Sequence, residues 1–242
     1  LSTLGIPIII KKNKYYDEIK VRGQKMFRSF KYKIPSDPSS CAFFIVLTLL
    51  SKNCELKIKN VNINDSRIGY IKILNKMGAK IKINNIKKMY GEKQADIFVK
   101  SQPYLKKINC LPSLNSNLID EFLVIFLAAA KAKGTSSFSN LGELNKKESP
   151  RLKLGSKLLN QLGVKTKLTK DSIKIFGNPN LNLKKTIKIN NYHKDHRIFM
   201  TSVIAAYVFG GKWIIEDVDS YKSSFPSFLN IIKKLGYKFN LI

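Results

Sequence analysis

Four ten-residue stretches of the chain, "LSTLGIPIII" (1–10), "LNKMGAKIKI" (74–83), "LNQLGVKTKL" (159–168) and "IKKLGYKFNL" (232–241), share one pattern of apolar and polar positions. Each begins with apolar residues at helical spacing, passes through Gly5, Gly78, Gly163 or Gly236, and continues with the alternation of a half-buried strand. A glycine at that point suits a left-handed helix end, a conformation that costs other residues steric strain. The pattern therefore predicts a recurring helix-to-strand hinge. The glycines are 73, 85 and 73 residues apart, too long for short solenoid repeats and long enough for a unit of two helices and several strands. The chain reads as a tandem array whose first residues are the tail of a preceding unit.

Between the hinges the periodicity predicts a helix at about 38–50, a strand at 54–61, a helix at 66–77, and strands near 79–84 and 95–101. The order then repeats, with a helix over 117–133, a strand "TSSFSNL", a helix over 150–162, and the strands "VKTKL" and "SIKIFG". A third round has a strand "TIKIN", a helix over 195–209, a strand "KWIIEDV", a helix over 225–235 and a final strand "YKFNLI". The expected fold class is α+β, built from βαβαββ-like units, with the third cut short. Helix starts carry suitable residues: Asp37 precedes Pro38 and Ser39, Ser149 precedes Pro150, and Pro226 lies just inside the last helix.

Composition narrows the class. With 242 residues, 44% of them apolar, the chain can bury a substantial core. The apolar runs "CAFFIVLTLL" and "FLVIFLAAA" are too short to span a bilayer and read as core helices, which points away from a membrane. Cys41, Cys54 and Cys110 are odd in number and lack paired spacing, which argues against a disulfide framework or a zinc site and fits a reducing compartment such as the cytoplasm. The formal charge of +28 raises the possibility of a nucleic-acid partner. Only five of the 44 basic residues are Arg, however, and the lysines are spread over every element, as on solvated faces.

Those scarce arginines are placed selectively. Arg67, Arg151 and Arg197 fall in "NDSR", "KKESPR" and "KDHR", each at a predicted helix start, where unpaired backbone N–H groups and the helix dipole favour anions. The segments "PSDPSS" and "NLIDE" stand at two more such starts. The "HKDH" stretch raises metal binding through His193, Asp195 and His196, but two histidines without a further ligand set fit structural or anion contacts better. Asp120 and Glu121 could complement a helix dipole, Lys147, Glu148 and Arg151 an exposed ion-pair cluster, and Asp37 a helix cap.

The segments "IPSDPSSCAFFIV", "NDSRIGYIKILNKMGA", "IDEFLVIFLAAAKAKG", "ELNKKESPRL", "KDHRIFM" and "SSFPSF", in this order and spacing, resemble the 5-enolpyruvylshikimate-3-phosphate synthase family over essentially the whole chain. The pairing of a K-E-S-x-R stretch with D-H-R is the specific part of the resemblance. The fold is also that of UDP-N-acetylglucosamine enolpyruvyl transferase, so another enolpyruvyl transferase, like a basic nucleic-acid binder, stands as an alternative. The resemblance implies two domains of three βαβαββ units with the active site in the cleft between them. On that basis residues 1–34 resemble the tail of one domain and the crossover, residues 35–242 the bulk of the other, and the N-terminal half of the enzyme is missing.

The implied reaction transfers the enolpyruvyl group of phosphoenolpyruvate to the 5-hydroxyl of shikimate 3-phosphate, in a protein that is a monomer when complete and needs no metal or organic cofactor. Asp120 matches the family's acceptor of the hydroxyl proton, and Glu148 its group for proton transfer at the methylene carbon. Lys147, Arg151, His196 and Arg197 match groups around phosphoenolpyruvate. Asn145, Lys146 and Pro150 depart from the family's "ELRVKESDR", and Ser223 stands where some members carry a lysine, with Lys222 one position away. The resemblance implies no turnover without the other half, and exposed apolar surface where that half would sit.

Overall fold

The computed structural model describes residues 4–23, 26 and 29–241. Its centre is made by three helices that are apolar nearly all round: α1 (Pro38–Leu50), α3 (Phe122–Ala130) and α5 (His196–Phe209). All of α3 is buried, as are eleven of the thirteen residues of α1. A helix without a polar face has to be enclosed on every side, and these three enclose one another pairwise.

Each central helix sits within one copy of the repeat. In the first, α1 leads to β3 (Glu55–Asn62), α2 (Gly69–Lys76), β4 (Ile81–Met89) and β5 (Glu92–Lys100). The strand order is β3-β5-β4, antiparallel, with Ser36 bridging in parallel to Val61 on the outer side of β3. In the second, β6 (Leu105–Lys106), α3, β7 (Ala132–Phe138), α4 (Arg151–Gln161), β8 (Thr166–Leu168) and β9 (Ile173–Gly177) give the order β6-β7-β9-β8. That is the same order, with the leading strand again parallel to its neighbour. The third holds β10 (Leu183–Ile189), α5, β11 (Gly210–Ile215) and α6 (Phe228–Lys234), with β10 and β11 parallel. Ahead of all three lies the antiparallel hairpin of β1 (Ile8–Lys12) and β2 (Asp17–Val21), which follows Gly5 as β4 follows Gly78 and β8 follows Gly163. Its Ile9, Ile10, Ile19 and Val21 are each more than half exposed.

All four hinge glycines have positive φ: +77° at Gly5, +93° at Gly78, +80° at Gly163 and +88° at Gly236. No atom of the described residues lies within 4 Å of where a Cβ would stand on any of them, so backbone conformation selects glycine there. Gly177 is glycine for another reason, since a Cβ would lie 2.2 Å from the Ala132 carbonyl oxygen and 2.5 Å from that of Ala129.

Several sequence expectations need correction. The helix expected over 117–133 is a 3-10 turn at Pro112–Asn117, a break at Leu118 (φ −152°) and α3 proper only from Phe122 to Ala130. Residues 132–133 already pair with β6, which overrides the helical propensity of "AAAKAK". The final strand does not form over 237–241, and residue 242 lies outside the described residues. Tyr237 packs on Tyr207 with ring centroids 4.4 Å apart, and the Tyr207 hydroxyl donates to the Lys238 carbonyl, taking an acceptor that a strand ladder would use. The last helix starts at Phe228, after a 3-10 turn over Val218–Ser223 that the periodicity did not separate from the flanking elements. The helical tail expected at the start falls on residues 1–3, outside the described residues, except for Leu4. The two-residue β6 and the second hairpin strand β2 were not foreseen.

Replacing Gly163 with Ala should lower stability by about 1 kcal/mol, from left-handed backbone strain alone. Gly177→Ala should cost more, because backbone on two sides must move. Urea unfolding midpoints of the two variants test this order.

Candidate active site

The three central helices run parallel. At one end Arg197, in the first turn of α5, donates to the main-chain oxygen of Asp120 just ahead of α3 at 3.0 Å. At the other end Lys131, the C-cap of α3, lies over the ring of Phe209, the last residue of α5. Glu121 is the N-cap residue of α3 and interacts with Ser39 in the first turn of α1. Three helix N-termini therefore open at one end of the core, where their unpaired N–H groups and aligned dipoles make a positive potential.

Arg151, the first residue of α4, is buried in the middle of this end, with its side chain 1% exposed. Its Nε donates to Asp195 Oδ2 at 2.9 Å and its Nη2 to Asp195 Oδ1 at 3.3 Å, a two-pronged pair. Its Nη1 reaches Asp120 Oδ1 at 3.1 Å, and its Nη2 lies 2.6 Å from Glu148 Oε2. Asp195 and Asp120 thus accept from three of the five guanidinium N–H donors, one on Nη1 stays open, and Glu148 adds an ionic contact at Nη2. Lys147 Nζ stands 3.3 Å from the same Asp120 Oδ1, with both side chains about one-third exposed.

Asp195 anchors the other side. It is the N-cap of α5, accepting from the N–H of Arg197 at 2.8 Å and of Ile198 at 3.4 Å, and it also accepts from the Ser149 hydroxyl at 2.7 Å. Burial by itself would push the Asp195 carboxyl up, but the Arg151 and Ser149 hydrogen bonds, the Arg151 charge and the Arg197 N–H together hold it below the usual carboxylate range. Asp120 is likewise held down: burial works to raise it and is outweighed by Arg197, Lys147 and Arg151. His196, beside these groups at the start of α5, is pushed down by burial and further by Arg197, with Asp195 opposing. Glu121 goes the other way, raised chiefly by burial, with Ser39 and Arg197 offsetting part of the shift.

The sequence candidates Asp120, Lys147, Glu148, Arg151, His196 and Arg197 therefore come together at one helix-lined end. Asp120 lies in the turn before its helix and not within it, which turns its carboxyl toward α4. His193 is exposed with φ +58°, and the Asp195 carboxylate is taken up by Arg151 and Ser149, so "HKDH" does not converge on a cation. Asn145 accepts from the Lys153 N–H at 3.3 Å and so caps α4 from outside, where Pro150 offers no side-chain cap. Lys222 is tied to Asp219 at 2.6 Å, and the Ser223 hydroxyl donates to the Ser220 carbonyl. Sequence reading took Ser149 as a helix-start residue, whereas its hydroxyl donates to Asp195 and caps no helix, and it assigned Asp195 no role as an arginine anchor. The available signal for Asp195 was its place immediately before a helix, where a side-chain oxygen that accepts from backbone N–H groups is favoured.

Removing one partner of the buried pair leaves the other charge uncompensated. Asp195→Asn should cost about 3–5 kcal/mol at neutral pH. Because the Asp195 carboxyl is held down in the folded state, its contribution is full above the unfolded value near 3.9 and fades as pH falls through the folded one. The stability gap between wild type and D195N, measured by urea unfolding from pH 7 to pH 3, should therefore narrow below about pH 4.

Residues 1–232 match the family model for EPSP synthase (3-phosphoshikimate 1-carboxyvinyltransferase). The chain is 38% identical over its whole length to a 3-phosphoshikimate 1-carboxyvinyltransferase of Ruthia magnifica subsp. Calyptogena magnifica, covering 54% of that protein. It is 37% identical over 97% of its length to the protein of the same name from Thermodesulfovibrio yellowstonii, covering 53% of it. Among solved structures it is similar to EPSP synthase from Acinetobacter baumannii, with a TM-score of 0.86 and 30% identity over 97% of this chain and 52% of that one. It shares its fold with the enolpyruvyl transferase NikO from Streptomyces tendae, at a TM-score of 0.73 and 14% identity over 98% of this chain and 51% of that one. The chain spans about half the length of the curated relatives it matches. No described helix is long and apolar enough to cross a membrane. The match over nearly all of its residues places this chain in the EPSP synthase family.

Proposed function

We propose that this chain forms one wall of an active site that transfers the enolpyruvyl group of phosphoenolpyruvate to the 5-hydroxyl of shikimate 3-phosphate, releasing phosphate. The observation that supports it most directly is the meeting of Asp120, Lys147, Glu148, Arg151 and Arg197 at three parallel helix N-termini. An anionic substrate requires such a cluster of cations and N–H donors, and the proton transfers require carboxylates within it.

Asp120 takes the proton from the 5-hydroxyl as its oxygen attacks C2 of phosphoenolpyruvate. Its surrounding cations keep it ionised and able to accept. Glu148, half exposed beside Arg151, delivers a proton to C3, giving a tetrahedral adduct. Glu148, now ionised, takes a proton back from C3, which re-forms the double bond as the C2–O bond to phosphate breaks and phosphate leaves. Lys147, Arg197 and the remaining Nη1 N–H of Arg151 balance the carboxylate and the departing phosphate, and His196 lines the same edge. Arg151 has a second duty, since it orients Asp120 and Glu148 through the contacts described above.

On this reading residues 1–34 belong to a second domain and its crossover, and residues 35–242 to the domain that carries the cluster. The complete protein works as a monomer in the cytoplasm, with no metal or organic cofactor and no nucleic-acid partner. The exposed isoleucines and valine of the β1–β2 hairpin fit a position against further protein.

The 242-residue chain alone should release no phosphate from the two substrates, because catalysis needs both walls to position them and exclude water. Joined to the unmatched half of the Acinetobacter baumannii enzyme, it should gain turnover, and Asp120→Asn in that hybrid should lower kcat by about 100-fold or more. Phosphate release by the chain alone would overturn the need for a second wall, and an active D120N hybrid would overturn the role of Asp120.

A further inference from the structure

Glu121 is a buried carboxylate at this end of the molecule to which the proposed chemistry gives no role. It is 4% exposed, and no hydrogen-bond donor among the described residues reaches its Oε1. An ionisable group so placed is expensive to bury and calls for a compensating partner. That oxygen faces Arg197, whose Nη1 lies 3.8 Å away, an ionic distance without a hydrogen bond. On its other side Glu121 interacts with Ser39. The Ser39 hydroxyl oxygen is already occupied by Arg67, which donates to it from Nη2 at 3.1 Å, so its own proton is directed away from Arg67. The same Nη2 also reaches Asp37 Oδ1, the cap of α1, at 3.2 Å.

A continuous polar chain results: Asp37 and Arg67 of the first unit, Ser39 of α1, Glu121 of α3, and Arg197 of α5. Apart from Glu121, the only hydrogen-bond or ion-pair partner of the Arg197 guanidinium among the described residues is the Asp120 main-chain oxygen. A single hydrogen bond to Nη1 leaves rotation of the planar group undetermined, and an anionic contact from a second side biases its orientation.

We propose that Glu121 is a positioning residue, which fixes the Arg197 guanidinium toward the substrate anion and ties its orientation, through Ser39, to Arg67 of the first unit. The kinetic part of this inference rests on the function proposed above, and the geometric part stands without it. Glu121 touches no reacting atom in this scheme and acts through Arg197.

With five arginines in the chain, a 15N-arginine-labelled sample gives a resolvable set of side-chain Nε–H signals. Glu121→Ala should displace or broaden the Arg197 signal while that of Arg151, held by Asp195, stays. Glu121→Gln, which keeps the acceptor oxygen, should restore most of it, and Ser39→Ala should reproduce part of the loss. An Arg197 signal unchanged in E121A overturns the proposal, and should E121A fail to fold, a signal unchanged in S39A overturns it. In the hybrid enzyme E121A should raise the KM for phosphoenolpyruvate about tenfold with a smaller change in kcat, and E121Q should recover it. A loss of folded protein alone would lower apparent kcat and leave KM where it was, and that result counts against positioning. If Arg197→Ala leaves the phosphoenolpyruvate KM unchanged while the NMR pattern is as expected, the functional reading of the site fails and the positioning stands.

Discussion

The pair between Arg151 and Asp195 organises this end of the molecule. Two almost fully buried charges from different repeat units are joined through two hydrogen bonds, and Ser149 and the first turn of α5 saturate the remaining lone pairs of the carboxylate. Such a pair gives little stability over a well-packed apolar alternative, because desolvation consumes most of the attraction. It does give geometry. A planar guanidinium locked by Asp195 presents its other nitrogen edge to Asp120 and Glu148 at fixed angles, so two carboxylates from two loops share one reference point.

That arrangement depends on the parallel central helices. A helix N-terminus is half satisfied by construction, and bringing three to one end concentrates unpaired N–H groups and positive potential in one small region. Carboxylates gather there for the same reason: Asp37 caps α1, Glu121 stands at α3 and Asp195 caps α5. Each is then met by an arginine, Arg67, Arg197 and Arg151 respectively. The threefold repetition of the fold thus appears again as a threefold repetition of acid and arginine pairs. The units differ in what they leave open, since Arg151 is nearly saturated by protein carboxylates whereas Arg197 has one main-chain hydrogen bond and one longer ionic contact.

The large net positive charge plays little part in this. Most lysines sit on exposed strand and helix positions, paired at most with one exposed acid, as in Lys188 with Glu216 or Lys146 with Glu143. Exposed pairs of this kind contribute little and are screened by salt. The site is built instead from arginines whose planar donors fix direction, and from Lys147, whose ammonium contacts Asp120.

The sequence by itself determined the repeat, its helix-to-strand hinges and the identity of the central helices, because these depend on local rules: positive φ at glycine, apolar periodicity, and capping residues at helix starts. All four hinge glycines and the cap Asp37 stand where those rules put them. It also drew attention to Asp120, Glu148, Arg151 and Arg197, through their clustering at helix starts and through family likeness. Only the tertiary structure decided the rest. The strand expected at 237–241 gave way to contacts of Tyr237 and Lys238 with Ser51 and Tyr207, and the helix expected to 133 ends at Ala130 because the next residues pair with β6. Asp195 as the arginine anchor and Glu121 as the link to Ser39 were invisible for the same physical reason. Their partners lie 44 and 82 positions away in the chain, and nothing in a residue's neighbours along the sequence specifies which charge will face it once helices from separate units close together.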